Sequence, residues 1–247
     1  METPRASQTV KARDALRTLI LTGAFAPGER LPEPVISDRL RVSRTPLREA
    51  MSQLVDEGIV ERLPTGGCRV SSYSMQDIVD AIEVRGTLEG LAVRLAAERG
   101  VPTSEIAACA ETLGRIDDAL ARPGGMEFGT YVRLNAEFHR RIVGACNSPV
   151  VIREVERAWN QLLASPSAFL HGQEDSAAFR ASLLGAQRHH RTILEAVEAR
   201  EGARAEATAR EHARLARQNL RAALEAGSGG EIAIPGLQLV APDPTWN

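Results

Sequence analysis

The sequence predicts a mainly α-helical chain: an N-terminal winged helix-turn-helix followed by a C-terminal antiparallel all-α bundle. Three observations carry this. Apolar residues recur at helical spacing over most of residues 9–57 and again over 74–226. Strand-like runs flank a single Pro-Thr-Gly-Gly turn at 64–67. Glycine and proline cut the stretch after Ser74 into six helical pieces. The domains expected are therefore 9–73, 74–227 and an irregular tail over 228–247.

The first helix is expected over about 9–22, with Val10, Leu16, Leu19 and Ile20 facing a core. Gly23, Pro27, Gly28 and Pro32 stop it. A short helix follows over about 34–40, then a turn at Arg41-Val42. Ser43 is an N-cap residue type for a longer helix that ends at Gly58, a C-cap residue type. Residues 59–63 and 68–71 read as strands around a hairpin. Ser74-Met-Gln-Asp77 is a capping box that opens the second domain. Its helices are expected near 74–99, 103–121, 127–146, 149–170, 178–200 and 203–226. The tail after Gly227 has Gly and Pro without helical period, and reads as an irregular or mobile extension.

Composition narrows the function classes. The chain has 247 residues, 43% of them hydrophobic and 25% charged, as in ordinary globular proteins. No apolar run is long enough for a membrane span, and the polar N-terminus lacks a signal-peptide core, so a cytoplasmic protein is expected. Cys68, Cys109 and Cys146 are few and widely spaced, which fits buried reduced thiols. The net charge of -2 does not by itself point to nucleic acid; the argument for DNA is local.

On the helix from Ser43, Leu47, Ala50, Met51 and Leu54 form one apolar stripe, and Arg44, Thr45, Arg48 and Ser52 lie away from it. Two arginines and hydroxyls on the free face of a helix that follows a tight turn suit a major groove, where guanidinium forks onto guanine O6 and N7. The alternative is a solvated charged face. Gly66 and Gly67 permit close approach to the DNA backbone, and Arg62 and Arg69 can neutralise phosphates; the alternative there is an ordinary turn with surface arginines.

The stretch Leu31–Val70, centred on Val42-Ser43-Arg44-Thr45-Pro46-Leu47-Arg48-Glu49-Ala50, resembles the head of GntR-type transcriptional regulators. The resemblance implies that Ser43, Arg44, Thr45, Pro46 and Arg48 lie at the DNA surface, with Gly66 or Gly67 at the wing tip. The chain departs from the pattern at Pro34-Val35, where members often place a polar or cationic phosphate contact.

In the second domain polar residues interrupt apolar stripes. Asn135 and His139 share the inward stripe of one helix, His190 heads a stripe with Ile193, Leu194 and Val197, and His212 has Leu215, Ala216 and Leu220 on its side. Three inward histidines on three helices can converge on a divalent ion, zinc or nickel by ligand type; any one alone is more often a hydrogen-bonded core histidine. Arg85 and Glu89 interrupt the stripe Ile78, Ile82, Ala92, Ala96. They read either as a self-contained pair or, for Arg85, as a grip on an anionic effector.

Glu83-Val-Arg85-Gly-Thr-Leu88-Glu89, Asn135-Ala-Glu-Phe138-His139, His190-Arg-Thr-Ile193-Leu194 and His212, in that order, resemble the FCD sensor domain attached to many GntR regulators, in its six-helix form. The resemblance implies a metal held by Asn135, His139, His190 and His212 next to an organic-acid or sugar-acid pocket, with Arg85 and Asn135 as effector contacts. Where metal-binding members often have aspartate, this chain has Asn135, which leaves the ligand set one negative charge short. The expected protein is thus an effector-controlled DNA-binding regulator acting as a homodimer on a near-palindromic operator, since one head reads too few base pairs. The rival is a metal-dependent hydrolase using the three histidines, although no compact HExxH occurs and Glu137, beside His139, points off the stripe.

Overall fold

The computed structural model describes residues 4–121, 126–161, 177–227 and 236–241. It divides into two compact units: Met1–Ile78 with Asn160–Leu163 and Pro235–Asn247, and Val79–Trp159 with Ala164–Ile234.

The first unit, the head, contains α1 (Pro4–Leu21), α2 (Glu33–Leu40), α3 (Arg44–Asp56), β1 (Val60–Arg62) and β2 (Cys68–Val70). The strands pair antiparallel, with Glu61 opposite Arg69. Residues 28–31 run beside β2 and exchange backbone hydrogen bonds with Cys68 and Val70. Leu16, Ile20, Ile36, Leu47, Met51, Leu54, Ile59 and Val70 form one core. On α1 the buried stripe is Thr9, Ala12, Leu16 and Ile20, and Val10 is exposed, which corrects the expectation for Val10. Leu16 and Ile20 fix the helix phase, and stepping back by four and seven residues reaches Ala12 and Thr9.

The tail also departs from expectation. Leu237–Leu239 form a single 3-10 turn, and Val240 bridges Tyr73 in parallel. Tyr73 donates its amide to the Leu239 carbonyl (2.9 Å), and the Ala241 amide donates back to the Tyr73 carbonyl (2.8 Å). The Gln238 side-chain amide donates to the Leu21 carbonyl at the end of α1 (2.7 Å). Leu239 is fully buried in the head core. A segment without periodicity is thus a structural part of the head; residues 228–235 and 242–247 of the expected tail lie outside the described residues.

The second unit contains α4 (Met75–Arg99, entered from the head), α5 (Thr103–Ala121), α6 (Phe128–Gly144), α7 (Pro149–Asn160), α8 (Ala177–Glu198) and α9 (Gly202–Gly227). These bounds follow the expected ones closely, except that α7 stops at Asn160; residues 162–170 of the expected helix lie outside the described residues. The capping box forms as read: the Asp77 amide donates to Ser74 Oγ, and the Ser74 amide donates to the Asp77 carboxylate. Apolar stripes from all six helices build a single core in which Leu113, Phe138, Ile142 and Val197 are buried. α4 approaches α9 closely because Gly86 faces Ala213: a Cβ at Gly86 would lie 2.8 Å from the Ala213 Cβ. That approach brings the α4 stripe to the His212 end of α9. All three cysteines are free and buried, and no helix among the described residues is long and apolar enough to cross a membrane.

Candidate functional site

The head presents α3 as the sequence indicates. Leu47, Ala50, Met51 and Leu54 are buried, and Ser43, Arg44 and Thr45 are exposed. Ser43 occupies the N-cap position in extended backbone without a side-chain cap bond. Arg48 is exposed and gives its Nε to the Glu33 carboxylate (2.8 Å). Pro46 is buried, which corrects its expected place at the DNA face: it stands four residues before Ala50 and so falls on the inward stripe.

The wing divides similarly. Gly66 and Gly67 are exposed with φ of 89° and 82°, a region where a side chain is strained. Arg62 reaches back to Ser52 Oγ on α3 (3.0 Å). Arg69 lies opposite Glu61 and forms an ion pair with it. Its expected freedom to meet phosphate is therefore curtailed, because the ladder register sets a carboxylate directly across from it.

In the second unit, three helices bring three imidazoles together. His139 (α6), His190 (α8) and His212 (α9) place their ligand nitrogens within 4.8 Å of one another. His190 Nε2 and His139 Nε2 each lie 3.2 Å from His212 Nε2. Gln187, missed in the sequence, fixes the His190 tautomer. Its amide nitrogen donates to the Leu113 carbonyl and to Asp117 Oδ1, both at 2.8 Å. Its oxygen therefore accepts from His190 Nδ1 (3.1 Å), and the His190 Nε2 lone pair faces the centre. His139 Nδ1 lies 3.7 Å from Glu89 Oε1, so its Nε2 is also the inward nitrogen.

Burial pushes the His139 pKa down to about 3, assisted by the Arg85 charge. Burial, then the neighbouring imidazoles, push His190 and His212 well below their ordinary value. Burial lifts Glu89, opposed by Arg85 and by the hydrogen bond its carboxylate accepts from Trp159 Nε1. Arg85, on the same stripe as Glu89, donates to the Ala213 carbonyl (3.1 Å). Asn135 is buried one turn before His139.

These residues fit a borderline divalent ion. Burial disfavours protonation of all three rings, and Gln187 holds His190 with its Nε2 lone pair towards the centre. Bonds of about 2.0–2.1 Å to zinc set tetrahedral neighbours about 3.3 Å apart, close to the two 3.2 Å separations from His212 Nε2, with the third pair within 4.8 Å. His212 Nε2 cannot donate to both neighbours at once, so hydrogen bonding within the trio leaves at least one inward nitrogen without a donor.

The same pKa directions set a pH dependence. Above about pH 6.5 neither state protonates these histidines; below it the unfolded chain takes up protons that the folded unit cannot. Stability of the metal-free unit is therefore expected to fall as pH drops from about 6.5 towards about 3. The slope is at most about 1.4 kcal/mol per pH unit for each histidine. Glu89, raised in the fold, works against that slope, one carboxyl against three imidazoles. Urea midpoints measured in chelator at pH 7 and pH 5.5 check this; a midpoint higher at pH 5.5 would contradict it.

Comparison with known proteins places both halves. The family model for bacterial regulatory proteins of the gntR family matches residues 8–70, and that for the FCD domain matches residues 80–215. The HTH-type transcriptional repressor GlaR of Escherichia coli K12 is 30% identical over 209 residues, covering 83% of this chain and 93% of that protein. The Nta operon transcriptional regulator of Aminobacter aminovorans is 35% identical over 131 residues, 53% of this chain. That match spans 60% of the relative, less than two thirds of its length. The solved structure of Escherichia coli McbR/YncC superposes with a TM-score of 0.58 at 22% identity, covering 92% of this chain and 99% of that one; at that identity it speaks for the fold. The matched proteins are regulators and not enzymes. The hydrolase expectation finds no support, and Glu137 is engaged with Arg141.

Proposed function

The chain belongs to the GntR family of transcriptional regulators and carries an FCD domain, and from that premise we propose that it is a repressor controlled by a small carboxylate at the histidine centre. In this reading two copies bind a near-palindromic operator, each inserting the N-terminal turn of α3 into the major groove. Arg44 and Thr45 meet base edges there, while Ser43, Arg48 and Arg62 meet phosphates. The observation that carries the DNA half is the exposed Arg44-Thr45 pair on a helix whose opposite face is fully buried.

The sensing half rests on the convergence of His139, His190 and His212 beside Arg85 and Asn135 in an otherwise apolar core. Asn135 and the three histidines would hold a zinc or nickel ion, which when bound supplies a Lewis-acidic position for a carboxylate oxygen. Arg85 contributes a positive charge that desolvation strengthens, suited to an organic acid or sugar acid. The amide of Asn135 leaves the centre more positive than an aspartate would, which favours an anionic ligand. Such a ligand shifts operator affinity only to the extent that it binds one arrangement of the protein better than another.

Arg44→Ala is expected to weaken operator binding by about 1–3 kcal/mol. Fluorescence anisotropy with DNA selected from random sequence by the wild-type protein measures it, and unchanged affinity rejects the assignment. A thermal-shift screen of carboxylic acids, run with zinc and with chelator, tests the sensing half. No acid raising the transition in either condition rejects it.

A further inference from the structure

The outer face of α3 holds a carboxylate that contact with DNA does not explain. Arg44, Arg48 and Ser52 stand four residues apart and form one column along that face. Arg62, at the end of β1, donates to Ser52 Oγ (3.0 Å) and so adds a guanidinium to the column from the wing. Into this cationic row the first residue of α2 places a negative charge: Glu33 accepts from Arg48 Nε (2.8 Å). The Cys68 thiol on β2, raised first by burial, is also shifted in opposite directions by Arg62 and Glu33. The carboxylate therefore lies where α2, α3 and the base of the wing meet, all within the head.

A negative charge there works against phosphate binding, and the fold gains little from it. Exposed ion pairs add little stability, and the Arg48 side chain of this pair is 65% exposed. α2 is anchored instead by Ile36, which is fully buried. An acid in the first turn suits the α2 dipole, but it would do so wherever its carboxylate pointed. This one is held in place: Pro32 and Pro34 fix the backbone on either side of Glu33. Glu33 takes the Nε–H of Arg48, which leaves the Nη1 and Nη2 donors of the guanidinium for an anion.

We infer that Glu33 is a positioning residue that makes Arg48 selective for the operator over other DNA. The inference rests on the proposed role of Arg48 as a phosphate contact. Non-specific binding draws on cations that adapt to whatever backbone is near, because phosphates are alike in every sequence. At the operator, base contacts from Arg44 and Thr45 fix the depth and register of α3, so the phosphate that meets Arg48 comes to a set place. An arginine already held by Glu33 engages that phosphate without further ordering. On other DNA the same hold denies Arg48 the reach it would need, and the Glu33 charge repels every phosphate alike. Glu33 therefore lowers non-specific affinity more than operator affinity.

The experiment is fluorescence anisotropy on the full-length protein with two duplexes: DNA selected from random sequence by the wild type, and a scrambled duplex of the same composition. The readout is the ratio of the two affinities. Glu33→Ala is expected to tighten the scrambled duplex several-fold and leave the selected one no tighter, so that the ratio falls several-fold. Glu33→Gln removes the charge but keeps an oxygen for the Arg48 Nε–H; it is expected to tighten both duplexes and hold the ratio near that of the wild type. In an Arg48→Ala background, Glu33→Ala is expected to leave the ratio where it was. Equal tightening of both duplexes by Glu33→Ala makes Glu33 a plain surface charge and overturns the inference. A ratio lowered just as far by Glu33→Gln, or by Glu33→Ala without Arg48, overturns it too. Arg48→Ala by itself separates this inference from the reading beneath it. Unchanged affinity for both duplexes removes Arg48 from the DNA, and the inference with it; weakened binding, with a ratio that Glu33→Ala does not move, removes only the role of Glu33.

Discussion

Leu239→Asp is expected to unfold the head while the second unit keeps its own transition. Leu239 is fully buried among Leu16, Leu54, Ile59 and Val70, far along the chain from all of them. Truncating a buried leucine to alanine costs about 2–5 kcal/mol, and an aspartate adds the desolvation of a charge with no partner in that core. Against the roughly 5–15 kcal/mol that holds a domain folded, that loss takes most or all of the margin. Differential scanning calorimetry should show the head's transition moved down or lost and the second transition retained. Operator affinity should fall with the folded fraction, even though Leu239 is placed far from Arg44 in sequence. A single unchanged transition would show that the segment is dispensable. Leu239→Ala, a milder change, should lower the same transition without abolishing it.

The second large effect is expected at the histidine centre. His190→Ala should abolish measurable zinc binding in a competition with a chromophoric chelator, and Gln187→Ala should weaken it by about 10–100-fold, the usual cost of losing a group that orients a ligand. The reason is tautomeric. Gln187 receives His190 Nδ1–H because its own amide is committed to Leu113 and Asp117. Without that acceptor, His190 no longer has its lone pair fixed on Nε2. Asn135→Asp should act in the opposite direction, tightening zinc by restoring a negative charge. Equal zinc affinity in the wild type, His190→Ala and Asn135→Asp would remove the ion from the proposed centre.

How much of this was legible in the sequence depended on whether the signal was local. The six helices of the second unit follow from period and breakers, because each buries one stripe against the others. The three histidines were legible for the same reason, as polar positions on inward stripes. Gln187 offered the same signal, standing three residues before His190 on that stripe, and stepping four back from Ala50 would likewise have put Pro46 inside. Trp159 left no such trace: its partner, Glu89, lies 70 positions away. The pairing of Arg69 with Glu61 needed the hairpin register, which a turn signal alone sets only to within a residue. The docked tail was invisible because one buried leucine and one bridge carry no periodicity.

The tail bears on the order in which the protein is made. The ribosome completes α1, α2, α3 and the wing early, but Leu239 emerges only after the whole second unit has been synthesised. At about 5–20 residues per second, the interval is on the order of 10–30 s. During it the nascent head lacks part of its interior and its hold on Leu21 and Tyr73. Full stability of the reading head therefore waits on translation of the whole second unit, so a regulator able to grip DNA firmly is one whose FCD domain already exists.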